Sequence, residues 1–229
     1  MKILVVGFQR SGTTLLRNVV ENHPDVQKMF HEKFFLKFNK GQQKNMLAGL
    51  GDPEGTWGEK VPYYTRRIRR GVGMHIEEYV RRWFKMFKSE ARVLHIIRHP
   101  LDVGLSSKKT FEIDFDNAVK THIHVVPRVV NYLSDYDNCM QIKFEELVWM
   151  PASTVQKIYE FCKLEHNSKI VQKTINKGNY RLGRTKKPSG IIKDRAFVYI
   201  QEGIKYEKNL ANAFEVLNTI PGPEYEVTK

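Results

Sequence analysis

The run Lys2-Ile-Leu-Val-Val6, the stretch Gly7-Phe-Gln-Arg-Ser-Gly12 and the following Thr13-Thr14-Leu15-Leu16 constrain the fold most. A short apolar run that breaks at glycine reads as a buried strand. Leu15, Leu16, Val19 and Val20 then share one face of a helix reaching Asn22. His23-Pro24-Asp25 ends that helix, because proline biases its predecessor away from helical geometry. A strand delivered directly into an amphipathic helix is the opening half of a βαβ unit.

The same alternation continues along the chain. Ile76, Tyr79, Val80, Trp83, Phe84 and Phe87 form a helical stripe, with Arg81, Arg82, Lys85 and Lys88 off it. Arg92–Ile97 reads as a second buried strand and Met140–Phe144 as a third. Helices are expected over 101–110, 115–132 and 151–162, the last with Val155, Ile158, Tyr159 and Cys162 on one face. Residues 39–56 suggest a short helix and a loop, 176–193 a basic mobile loop, and 197–217 a closing helix. The expected fold is α/β: a P-loop-type parallel β-sheet flanked by helices, in a single domain over residues 1–220. The Pro-Gly-Pro segment in 221–229 reads as a flexible tail. In such sheets ligands sit beyond the carboxyl ends of the strands.

Composition narrows the class. Of the 229 residues 41% are hydrophobic and 11% aromatic, which excludes wholesale disorder. No apolar run approaches the ~20 residues that span a bilayer. The first strand starts straight after Met1 and leaves no room for a secretory signal, so the expected compartment is the cytoplasm. Cys139 and Cys162 read as buried free thiols rather than a disulfide framework or zinc site. The net charge of +13 favours an anionic ligand, an anionic polymer or a membrane surface. No nucleic-acid-binding motif or aromatic stacking array accompanies it, so a specific nucleic-acid partner is not expected. Peripheral membrane contact and oligomeric state stay open.

Gly7-x4-Gly12-Thr13-Thr14 has the spacing of a nucleotide-binding P-loop, but Thr13 stands where that loop carries lysine. The free N–H groups of such a loop and of the helix start face an anion. Here the basic group is Arg10, inside the loop, and no apolar strand ends in an Asp suited to Mg²⁺. An anion carrying fewer charges than a triphosphate, bound without a metal, suits this loop better. A second basic group, Arg98, follows the second strand, with Ser106 on the next helix to share an anion.

Together these segments resemble the PAPS-dependent sulfotransferases, most closely in motif the tyrosylprotein and carbohydrate branch. Gln9-Arg-Ser-Gly-Thr-Thr-Leu-Leu16 resembles that family's 5′-phosphosulfate loop, and Arg98 with Ser106 its 3′-phosphate site. Ile142-Lys-Phe-Glu-Glu-Leu147 is similar to its "YEDL"-type segment, with Phe144 in place of the tyrosine. The resemblance covers residues 1–165. It implies transfer of a sulfuryl group from 3′-phosphoadenosine 5′-phosphosulfate (PAPS) to an acceptor hydroxyl or amine, leaving adenosine 3′,5′-bisphosphate (PAP), with no metal. It places Arg10, Ser11, Gly12, Thr13, Thr14, Arg98 and Ser106 against the nucleotide, and on a looser match Lys187 and Lys193 of the C-terminal loop. Glu32 matches the base that follows an "HPD" segment, with His31 its rival, and Lys60 of Gly58-Glu-Lys-Val-Pro62 matches a "K-x-P" lysine near the transferring group. Arg66, Arg67, Arg69 and Arg70 suit an acidic acceptor or a solvated face equally. The acceptor is expected to be a carbohydrate or peptide. The rival functions are a P-loop kinase or NTPase-like phosphotransferase and a basic nucleic-acid-binding module.

Overall fold

In a computed structural model, five parallel strands lie among the described residues in the order β2-β3-β1-β4-β5. The structure describes residues 1–63, 75–111, 114–177, 210–222, 224 and 225. The strands are β1 (Lys2–Phe8), β2 (Val26–His31), β3 (Thr56–Tyr63), β4 (Ala91–Ile97) and β5 (Cys139–Lys143). The helices are α1 (Thr13–Glu21), α2 (Lys40–Leu47), α3 (Ile76–Phe87), α4 (Pro100–Phe111), α5 (Phe115–Ser134), α6 (Phe144–Trp149), α7 (Pro151–Phe161) and α8 (Ser168–Lys177), and residues 210–217 are helical again.

Every residue of β1 and β4 is buried, as a parallel strand covered on both faces must be. Leu4, Val6 and Phe8 face a core shared with Tyr79, Val80 and Trp83 of α3 and with Val126 and Val130 of α5. Ile3 and Val5 face the opposite core, built with Leu16 and Val20 of α1 and Ile158 of α7. The chain runs from β1 to one side through β2 and β3, then returns to the other side for β4. That reversal opens a crevice beyond the carboxyl ends of β1 and β4, where open α/β sheets bind ligands.

Two strands were not expected. β2 carries exposed Gln27, Lys28 and His31, and β3 carries Gly58, Glu59, Lys60 and Pro62, residues depleted in strands. Phe144 opens α6 instead of closing β5. Tyr225, in the segment expected to be a flexible tail, is instead buried and donates a 2.7 Å hydrogen bond to Glu145 Oε2. Lys187, Lys193 and the arginines 66, 67, 69 and 70 lie outside the described residues, as do most of the expected basic loop and the start of the closing helix. Cys162 is buried, Cys139 partly so, and both are free thiols.

His122 is buried edge-on against Phe8, while His124 on the same helix is exposed, so the two share no face. Burial holds the His122 imidazole at about 3, against an ordinary 6.5, with the neighbouring His99 and His95 adding to the effect. Unfolded chains therefore take up a proton at this position below pH 6.5 that the folded protein refuses, and the stability it contributes drains away as pH falls towards 3. Replacing it by Phe removes that term alone. The melting temperature of His122→Phe relative to wild type is expected to rise steadily from pH 7 to pH 4, measured by thermal denaturation in paired buffers.

Candidate active site

Gly7 is needed for close approach, not for a turn. It ends no helix and lies inside β1, where a Cβ would stand 2.6 Å from the Ile96 carbonyl oxygen of β4. The turn itself is made by Arg10 (φ 71°) and Gly12 (φ 99°), both left-handed. At Gly12 a side chain would also strike the Phe144 ring at 2.4 Å. This turn aims the first N–H groups of α1 and the Arg10 side chain at the crevice.

The crevice is a cavity of about 380 Å³. Gln9, Arg10, Gly12, Thr13 and Thr14 line it from the loop, Arg98 and Ser106 from β4 and α4, and His31, Glu32, Lys60 and Pro62 from the ends of β2 and β3. Ser11, expected among the anion ligands, is fully buried behind the loop, and its hydroxyl has no partner among the described residues. Arg98 Nε is a second buried donor without a described partner. Such groups cost of order 1–3 kcal/mol each unless a ligand satisfies them, more when charged.

At one end of the crevice Arg10 and Arg98 meet. Arg10 Nε donates to Ser106 Oγ at 2.9 Å, and Arg98 Nη1 donates to the Arg10 carbonyl at 3.3 Å. Burial, and then the charge of Arg98, lower the affinity of Arg10 for its proton. Two neighbouring cations in partly desolvated surroundings suit an anion, which would offset their repulsion. Arg98 is also held by Asp102 Oδ2 at 3.4 Å, and its Cζ lies 4.3 Å above the centre of the Phe144 ring. Phe144 thus has a role the sequence reading passed over: it floors the guanidinium by cation–π contact and fills the space beside Gly12. Asp102 was missed as well, although its i, i+4 offset from Arg98 was the available signal.

At the other end, Lys60 Nζ lies 2.8 Å from Glu32 Oε1 and donates to Thr14 Oγ1 at 3.3 Å. Lys60 is 3% exposed and joins the loop to the carboxylate. Glu32 adopts a left-handed backbone (φ 53°), and its N–H donates to the Lys60 carbonyl at 3.0 Å. His31 Nδ1 is 3.9 Å from Glu32 Oε1, on a side chain about half exposed. Glu32, not His31, is therefore the group in hydrogen-bond contact with the buried lysine. Behind it, Glu59 is fully buried, and burial lifts its carboxyl to about 7 against hydrogen bonds from Tyr79 and the backbone that act to lower it. Among the described residues no cluster of His, Cys, Asp or Glu is placed to hold a metal ion, and no helix is long and apolar enough to cross a membrane.

The Sulfotransferase family model matches residues 77–168. An uncharacterized protein of Aquifex aeolicus (strain VF5) is 23% identical over 94% of this chain; the chain spans only 32% of that relative's length. Among solved structures, a sulfotransferase from Alicyclobacillus acidocaldarius superposes with a TM-score of 0.58 at 14% identity, over 96% of each chain. The sulfotransferase domain of the Synechococcus PCC 7002 olefin synthase gives 0.53 at 17% identity, over 83% of this chain and 82% of that one. Mouse sulfotransferase SULT7A1, complexed with PAP, gives 0.52 at 14% identity, over 76% of this chain and 62% of that one. These likenesses show that the chain has the sulfotransferase fold.

Proposed function

We propose that this chain, which has the sulfotransferase fold and matches the Sulfotransferase family model over residues 77–168, transfers the sulfuryl group of PAPS to an acceptor hydroxyl or amine. The observation that carries the reading is the division of one crevice into two ends: paired guanidiniums from Arg10 and Arg98 at one, and the Glu32–Lys60 pair at the other. Two separated anionic groups on one nucleotide fit the first end together with the loop N–H groups.

Arg98, with Ser106 and Arg10 beside it, receives the 3′-phosphate, and its planar fork suits phosphate oxygens. The loop from Arg10 to Thr14 receives the 5′-phosphosulfate at the positive end of α1. Glu32 accepts the acceptor's proton as the acceptor oxygen attacks sulfur. Lys60, already in contact with Thr14, stabilises the charge that develops on the bridging oxygen as the sulfur–oxygen bond to the nucleotide breaks. PAP and the sulfated acceptor leave. A carbohydrate or peptide hydroxyl is the proposed acceptor class, on the strength of the His23-Pro24-Asp25 to Glu32 resemblance. No step asks for a metal ligand from the chain.

Calorimetry with PAP and an acceptor screen with labelled PAPS test this directly. The expected result is saturable PAP binding that is insensitive to Mg²⁺, with label transferred to a hydroxyl or amine acceptor. Tight ATP–Mg²⁺ binding with indifference to PAP would replace it by a phosphotransferase reading, and a sequence-selective nucleic-acid complex by a binding module.

A further inference from the structure

We propose that Glu59 is a positioning residue for the candidate base: it grips the left-handed turn that follows Glu32 and so fixes where that carboxylate points. The inference rests on the sulfotransferase reading of the crevice and adds to it a residue that never enters the crevice.

Glu59 and Lys60 are consecutive on β3, so their side chains leave opposite faces of the sheet. Register confirms it. Lys60 pairs with Val5 on the α1 side, and Glu59 pairs with Leu4 on the α3 side. Lys60 reaches Glu32 from the front, while its carbonyl holds the Glu32 N–H. Glu59 works from behind. Its two carboxylate oxygens accept from the Phe35 N–H at 3.2 and 3.0 Å, and the backbone of Phe34 and Lys33 also bonds this carboxyl. Tyr79 of α3 donates its hydroxyl to Glu59 Oε2 at 2.6 Å and accepts from the Leu36 N–H at 3.3 Å.

The gripped segment is one that would not keep its shape unaided. Glu32 (φ 53°) and Phe34 (φ 56°) both sit in the left-handed region, which disfavours residues bearing a Cβ. Successive N–H groups turned inward form a nest for an anion, and here the anion is a side chain of the neighbouring strand. A fully buried carboxylate is a costly way to fill space, since an apolar residue of similar size would pack there without desolvating a charge. What the carboxylate adds is direction: residues 33–36 are tied to β3 and α3, and the side chain of Glu32 is presented to the crevice next to Lys60.

The test compares wild type, Glu59→Gln and Tyr79→Phe by steady-state turnover of PAPS, PAP calorimetry, thermal melting and amide hydrogen exchange over residues 32–38. Glu59→Gln is expected to lower kcat by about 10²-fold, the scale of an ångström-level misplacement. PAP affinity should stay within a few-fold, and protection of residues 33–36 should be lost. Tyr79→Phe removes one hydroxyl, the donor to Glu59 and the acceptor of the Leu36 N–H, and no charge, so it should keep the fold and give a smaller fall in kcat with the same sparing of PAP affinity. Unimpaired turnover in both variants would overturn the positioning role, as would a fall in kcat matched by an equal loss of PAP affinity. A wild-type protein that neither binds PAP nor turns over PAPS would overturn the functional reading itself, a result told apart by being visible before any substitution is made.

Discussion

Glu32→Gln is expected to reduce turnover of PAPS by roughly 10²–10⁴-fold, the range contributed by a general base, while PAP affinity holds or rises slightly. The amide has the size of the carboxylate and can still accept the Lys60 hydrogen bond, which spans 2.8 Å in the native pair. The backbone that carries it is held independently, by the Lys60 carbonyl on one side and Glu59 on the other. What disappears is the ability to take a proton, together with one negative charge near a polyanionic ligand. Steady-state kinetics and calorimetry on the same preparation read the two effects apart. Should Glu32→Gln turn over PAPS at the wild-type rate, the base is elsewhere. His31 is then next, because its ring also lines the crevice, although its exposure and the 3.9 Å to Glu32 leave it less constrained.

That Arg10 and Arg98 would meet at one end of a crevice was legible in the sequence because its signals are local. Arg10 and Gly12 sit in one loop between a strand and a helix whose apolar patterns are clear, and Arg98 directly follows a fully buried strand. The Glu32–Lys60 end was legible only through family resemblance. β3 holds Gly58, Glu59, Lys60 and Pro62 in succession or near it, so its chemistry hides its secondary structure. Tertiary context overrides these poor strand formers: the flanking strands β1 and β2 supply the ladder, and Gly58 admits the Ile3 carbonyl where a Cβ would lie 2.1 Å away. Glu59 was invisible for a different reason. It acts on backbone N–H groups 24 residues earlier, and no pattern of side chains records where a backbone nest will form. Phe144 was read only as a missing hydroxyl, because a cation–π floor requires knowing that Arg98 lies above it.

Arg98→Ala is expected to weaken PAP binding by about 10²-fold, as a charge-assisted hydrogen bond of roughly 1.5–3 kcal/mol and the cation–π support of the guanidinium are lost. Affinity alone would not show what Arg98 reads, since the guanidinium also holds the Arg10 carbonyl at 3.3 Å and its removal loosens the loop around Arg10. Comparing PAP with adenosine 5′-monophosphate separates the two effects. If Arg98 receives the 3′-phosphate, wild type prefers PAP and the variant loses most of that preference, with the weaker ligand little affected. Equal weakening of both nucleotides would mean that Arg98 shapes the loop and that the 3′-phosphate lies elsewhere. Truncation also takes a cation away from the buried Asp102 carboxylate, which weakens the fold in its own right. Arg98→Ala combined with Asp102→Asn removes that penalty, so its melting temperature should recover while its preference for PAP does not. Arg98→Lys keeps the charge and loses the planar fork, and should therefore restore only part of the preference.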